Sequence, residues 1–78
     1  MTHRIRLFAA AAAAAGTEET SSAAASIAEL REELSTRFGR EFAGVLAQCS
    51  LLVDGVRTDS GALAEGAQVD VLPPFAGG

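Results

Sequence analysis

One amphipathic helix dominates this sequence and limits the folds that are open to it. Ser26 to Glu29 matches a capping box, in which the serine oxygen accepts an N–H of the first turn and the glutamate reaches back to the serine N–H. Apolar residues then recur at steps of three and four, namely Ile27, Leu30, Leu34 and Phe38. Gly39 follows at the position where a helix is expected to end. The pattern predicts a helix with one apolar face.

The opposite face of this helix is charged, and we expect it to be a solvated surface rather than a docking site. Its residues are Glu29, Arg31, Glu32, Glu33 and Arg37. Glu33 precedes Arg37 by four positions, which is the favourable order for an ion pair along a helix.

Alternating segments on both sides of the helix predict strands. Residues 4–8 place Ile5 and Leu7 on one face, and residues 68–72 do the same with Val69 and Val71. The alanine run 9–15 has the highest helix propensity and predicts a short helix that ends at Gly16. Residues 19–22 have little apolar content and predict an edge strand.

The second half of the chain carries a hairpin signal. Asp54-Gly55 separates two β-prone runs, 50–53 and 56–58, and predicts a tight hairpin. Before it, residues 41–48 form a short amphipathic segment that we expect to pack as a satellite of the core. Leu63 is the expected anchor of the loop after the hairpin.

The element order predicts a single domain over residues 1–78 with an α+β, β-grasp architecture: a mixed sheet packed on one main helix, with the first and last strands adjacent in its middle. The helix covers one face of the sheet and leaves the other free. Asp70 and Leu72 would face that free side, where Leu72, Phe8 and Phe75 form an apolar patch for a partner.

Composition excludes several classes of function. A chain of 78 residues buries only roughly 60% of its unfolded surface, which leaves little room for a deep active site. The net charge of −4, with scattered arginines, argues against a nucleic-acid partner and favours a basic protein surface. Without lysine, the chain has no side chain that accepts an isopeptide bond. The alanine run is too short and too weakly apolar for a membrane span or a signal peptide.

The numbers of cysteines and histidines argue against an internal disulfide and against a metal site. Cys49 is the only cysteine, so no internal disulfide forms, and a cytoplasmic location is the simplest expectation. With His3 as the only histidine, no metal cluster is predicted. We expect Cys49 to be a small packed residue rather than a nucleophile.

The C-terminal segment 73–78 is the best candidate for chemistry. Pro73 and Pro74 stiffen the chain, and the glycines at 77 and 78 lack a Cβ, so this tip can enter a narrow channel. The alternative is a frayed polar end.

Several motifs together resemble the MoaD/ThiS family of ubiquitin-like sulfur carriers. They are Arg-Leu-Phe-Ala-Ala-Ala near the start, Ile-Ala-Glu-Leu-Arg-Glu-Glu-Leu in the helix, Val-Asp-Gly in the hairpin and Leu-Pro-Pro-Phe-Ala-Gly-Gly at the end. The resemblance covers essentially the whole chain and is strongest to the small subunit of molybdopterin synthase.

The resemblance implies that Gly78 is the reacting residue and carries an acyl-adenylate and then a thiocarboxylate. Gly77 and Ala76 would form the tail, and the partner-binding residues would be Phe75, Leu72, Phe8 and Pro74. The implied partners are a MoaE-like large subunit, in a heterotetramer, and a MoeB-like adenylyltransferase that uses ATP. The carrier itself would bind no cofactor and no metal.

Three alternatives stay open at this point. The chain could carry sulfur for thiazole or cysteine synthesis, it could be a ubiquitin-like protein modifier, or it could be a small binding domain with an inert tail.

Overall fold

The computed structural model describes residues 2–74, which form five strands and three helices. In chain order these are β1 (His3–Leu7), α1 (Ala9–Ala15), β2 (Glu19–Ser22), α2 (Ile27–Phe38), α3 (Arg40–Leu46), β3 (Ser50–Val53), β4 (Val56–Arg57) and β5 (Gln68–Leu72). The predicted tail residues 75–78 lie outside the described residues.

The strands form one mixed sheet in the order β2-β1-β5-β3-β4. β1 and β5 run parallel, with Ile5 opposite Val69 and Leu7 opposite Val71, while the other neighbours are antiparallel. The first and last strands therefore lie side by side inside the sheet, and residues 19–22 form an edge strand. Both predictions, and the β-grasp architecture, are confirmed.

The main core lies between the sheet and the helices. Ile5, Val69 and Val71 are fully buried on the sheet side, and Ile27, Leu30 and Leu34 are buried on α2. The prediction that the segment after α2 packs as a satellite was wrong. Phe42 and Leu46 of α3 belong to the same buried cluster, because the Phe42 ring lies 5.0 Å from that of Phe38 and fills the space beside α2.

The start of α2 differs in one contact from the predicted capping box. Ser26 Oγ accepts a hydrogen bond from Glu29 N at 3.2 Å, as expected. The Glu29 carboxylate instead accepts from Ala25 N at 3.0 Å. Ser26 also pairs with Ala62 in an isolated antiparallel bridge, in which Ile27 N donates to Gly61 O and Leu63 N donates to Ala25 O. Leu63 anchors this loop, as predicted, and is buried.

The hairpin uses the backbone conformations that Asp-Gly favours. Asp54 and Gly55 both have positive φ, at 50° and 86°, which is the requirement of a two-residue turn matched to the twist of its strands. Asp54 Oδ1 also accepts from Gln68 N at 3.0 Å, which ties the turn to the start of β5.

The charged face of α2 is less solvated than the sequence pattern predicted. Arg31 turns inward and donates to Leu46 O, at the end of α3, and to Cys49 O, just beyond it. Arg37 pairs with Glu33 and donates to Ser21 O at 2.6 Å. These long side chains join α2 to α3 and to the edge strand β2. No helix in residues 2–74 is long and apolar enough to cross a membrane.

Candidate functional site

The site begins where the central strand β5 ends and the chain passes into Pro73 and Pro74. Leu72 is the last residue of β5 and pairs with Ser50 of β3. On the other side, Phe8 N donates to Val71 O at 3.2 Å, which holds the residue after β1 against the end of β5. Strands on both sides thus fix the point from which the tail leaves the sheet.

Phe8 and Leu72 lie on the free face of the sheet at this point. Leu7 and Val71 are the last residues of β1 and β5 that pair with each other, and their side chains are buried beneath the helices. Phe8 directly follows Leu7, and Leu72 directly follows Val71. Because successive residues of an extended chain point to opposite faces, Phe8 and Leu72 share the uncovered one. Phe8 is 36% exposed and Leu72 is half-buried. The alternation in the sequence predicted this placement.

A charged pair lies beside these apolar residues and was missed from the sequence. Arg6 Nε donates to Asp70 Oδ1 at 3.1 Å across the parallel strands, and the Arg6 guanidinium lies 5.4 Å from the centroid of the Phe8 ring. The Asp70 side chain is only 16% exposed. The register of β1 on β5 places Arg6 opposite Asp70 and close to Phe8. Aligning the two strands residue by residue would have predicted this pair from the sequence.

The predicted site residues divide into two groups. Phe8, Leu72 and Pro74 are described, and Pro74 is exposed beyond the end of β5. Phe75, Ala76, Gly77 and Gly78 lie outside the described residues, so their roles stay predictions. Within residues 2–74, no group of three or more His, Cys, Asp or Glu is placed to hold a metal ion.

The model of the ThiS family matches residues 5–78, which is nearly the whole chain. This chain belongs to the ThiS family. No curated protein matches its sequence. The family match extends through the tail, so it includes the residues on which the predicted chemistry depends.

Solved structures agree with this assignment at the level of the fold. SAMP1 from Haloferax volcanii superposes with a TM-score of 0.85 at 21% identity, with full coverage of both chains. A putative molybdopterin converting factor subunit 1 from Pyrococcus furiosus gives 0.82 at 23% identity, with 96% of this chain and 99% of that chain covered. The complex of subunits 1 and 2 of molybdopterin-converting factor from Helicobacter pylori gives 0.72 at 27% identity, with full coverage of both. This ThiS-family chain therefore has the ubiquitin-like fold shared by MoaD-type proteins and small archaeal modifiers.

His3 is a buried structural residue of this ThiS-family chain, a role that the sequence pattern did not predict. It is 3% exposed, and its Nε2 lies 2.7 Å from Ala24 O. A carbonyl only accepts, so Nε2 must carry the proton there, and the buried Nδ1 has no partner among the described residues. The contact joins the start of β1 to the segment before α2.

Cys49 lies under the end of α3 and is 7% exposed, with its thiol donating to Val45 O at 3.2 Å. Burial raises the pKa of the Cys49 thiol above its ordinary value of 9.0, and the nearby Arg31 charge opposes this only in part. The thiol is therefore held in its unreactive, protonated form. Its placement supports the prediction of a packed residue.

We predict that Cys49 makes the folded protein less stable in alkali. The folded pKa is raised, so the stabilising contribution is fully present below the unfolded pKa of 9.0 and is lost as pH rises through the folded value. Thermal unfolding measured across this range should show a decline that is smaller in Cys49→Ala. Equal pH profiles for the two proteins would contradict this account.

Proposed function

We propose that the chain is the sulfur carrier subunit of molybdopterin synthase. The observation that supports this most is the route of β5, which leads from the centre of the sheet past Phe8 and Leu72 into a tail covered by the family match. A rigid strand that ends at an apolar patch gives the tail a fixed origin and gives a partner a surface to bind.

The proposed chemistry requires Gly78 to be the terminal residue. Its carboxylate attacks the α-phosphorus of ATP on an adenylyltransferase partner, which forms an acyl-adenylate and releases pyrophosphate. Hydrosulfide, HS⁻, delivered through that partner then adds to the carbonyl carbon, the bond to the AMP oxygen breaks, and a thiocarboxylate and a proton are left. Activation is needed because a carboxylate is a poor acyl donor. The adenylyltransferase uses ATP, and we propose that the carrier works beside it in the cytoplasm.

Delivery of the sulfur would take place on a large subunit. The Helicobacter pylori structure contains subunits 1 and 2 of molybdopterin-converting factor together, at 27% identity to this chain. We infer that this chain binds an equivalent MoaE-like subunit, in a heterotetramer, with Phe75, Leu72, Phe8 and Pro74 at the interface. The tail, Ala76 to Gly78, would enter that subunit and donate sulfur to cyclic pyranopterin monophosphate.

Reconstitution tests the pathway. Thiocarboxylated carrier is mixed with a MoaE-like large subunit and cyclic pyranopterin monophosphate, and in parallel with a thiazole-forming synthase and its substrates. Molybdopterin in the first mixture, with no thiazole in the second, is the expected result. The reverse outcome would assign the carrier to another sulfur pathway.

A second candidate function is protein modification. It is favoured by the close superposition on SAMP1 from Haloferax volcanii. The solved SAMP1 from Methanosarcina acetivorans is a small archaeal modifier protein. In that case the acyl group on Gly78 would form an amide with a lysine of a target. Heavier conjugates in extracts, lost when Gly78 is deleted, would favour this function.

We predict that Leu72→Asp weakens binding of the large subunit by about 10- to 100-fold, because a charge would be buried in an apolar contact worth about 1–3 kcal/mol. Val56→Asp is the matched control. Val56 is 65% exposed and lies in β4 at the far edge of the sheet, so its substitution should leave the Kd unchanged. Equal losses in both variants, measured by calorimetry, would argue against a patch beside the tail.

A further inference from the structure

We propose that the surface of this carrier is chemically inert toward its own activated C-terminus, so that the acyl group on Gly78 passes to a partner and not to another copy of the chain. The inference rests on the proposed function, because it concerns the acyl-adenylate formed there. If the chain is instead a protein modifier, the same surface prevents one copy from being attached to another, so each target site would carry a single copy.

The hazard that this surface avoids is acylation of the carrier itself. In that reaction a neutral amine attacks the Gly78 carbonyl carbon, a C–N bond forms, the bond to the AMP oxygen breaks and the amine proton passes to solvent. Thiolates and imidazoles react in the same way. An extended segment of six residues spans at most about 20 Å. The folded body measures 32 × 25 × 18 Å, which is of the same order as that span.

Side-chain amines are missing from the whole sequence. All six basic residues are arginines, and a guanidinium is not deprotonated in proteins, so it offers no neutral amine. Two of them need a guanidinium. Arg31 donates to two backbone carbonyls, and Arg37 donates to Thr20 Oγ1 and Ser21 O while pairing with Glu33.

The fold does not require arginine at every one of these positions. Arg4 pairs with Glu19 at 2.7 Å and Arg57 with Asp59 at 3.8 Å, through arginine side chains that are 66% and 69% exposed. Exposed pairs of this kind contribute little to stability, and lysine forms them as well as arginine does. Folding alone therefore does not explain why lysine is absent from these sites.

The chain's thiol and imidazole are both buried. Cys49 is 7% exposed and its thiol donates to Val45 O, while His3 is 3% exposed and its Nε2 is bound to Ala24 O. Across residues 2–74, no exposed side chain is an amine, a thiol or an imidazole. Absence of lysine and burial of cysteine and histidine are separate properties of the chain, and they have the same chemical consequence.

The test introduces one amine beside the tail. Gln48 is exposed just after α3 and lines the same groove as Pro73 and Pro74. Wild type, Gln48→Lys and the matched control Gln48→Arg are each incubated with ATP and the adenylyltransferase, without a sulfur donor. Hydroxylamine trapping in parallel samples measures activation as the hydroxamate. Intact-mass spectrometry then detects self-acylation as the loss of one water molecule or as a covalent dimer.

We expect all three proteins to form the hydroxamate and Gln48→Lys to acylate itself at least about tenfold more than the other two, because a nearby amine has a high effective concentration. The α-amino group is common to all three and does not distinguish them. Self-acylation of the wild type at the level of Gln48→Lys, including the case in which Gln48→Lys forms the hydroxamate but does not acylate itself, would overturn the inference. Hydroxamate missing from all three proteins would instead contradict the proposed function, and the inference with it.

Discussion

Replacing Gly77 with valine is expected to abolish sulfur delivery while leaving the fold intact. A branched side chain one residue before the reacting carbonyl would block a narrow channel that accepts glycine, and misplacement of a reacting group by about 1 Å costs on the order of 100-fold in rate. The measurement is molybdopterin formation by thiocarboxylated carrier and large subunit in single-turnover conditions.

Gly77→Ala is the matched control for this prediction. Its single methyl group should cause a smaller loss than valine, and both variants should unfold at the wild-type temperature because position 77 lies beyond the last strand. Normal product formation by Gly77→Val would argue against a narrow channel. A fall in unfolding temperature would show that the tail contributes to the fold instead.

Replacing Phe42 with alanine is expected to remove a large share of the stability of the domain. Phe42 is fully buried, and its ring packs at 5.0 Å from Phe38. Truncating such a residue costs about 3–5 kcal/mol. A domain of this length has a total free energy of unfolding of roughly 4–12 kcal/mol. Urea unfolding should therefore show a large drop in midpoint for Phe42→Ala.

Phe42→Leu separates the loss of packing from the loss of aromatic character. Because leucine leaves a smaller cavity than alanine, this variant should lose less stability than Phe42→Ala and should stay folded. Near-wild-type stability of Phe42→Ala would mean that α3 is a satellite after all, as the sequence pattern had predicted.

Local patterns in the sequence were sufficient to predict most of the sheet and the main helix. Alternation identified β1 and β5, and Asp54-Gly55 identified the hairpin, because these signals act over a few residues. The position of Phe8 and Leu72 on the free face followed from the same alternation.

Contacts between distant residues could not be predicted in this way. Arg31 appeared to face solvent because helical periodicity describes where a side chain starts, whereas its guanidinium ends at carbonyls 15 and 18 residues further along the chain. The Arg6–Asp70 pair likewise depends on the register of β1 against β5. Phe42 joined the main core for a similar reason, since its burial depends on the angle at which α3 leaves α2.

The central claim is that Gly78 carries sulfur, and intact-mass spectrometry tests it most directly. The chain is incubated with its adenylyltransferase, ATP and a sulfur donor, beside a variant that lacks Gly78. We predict a mass gain in the full chain equal to the difference between one sulfur and one oxygen atom, and no gain in the shortened one. An unchanged mass in the full chain, or a gain that survives the deletion, would contradict the account.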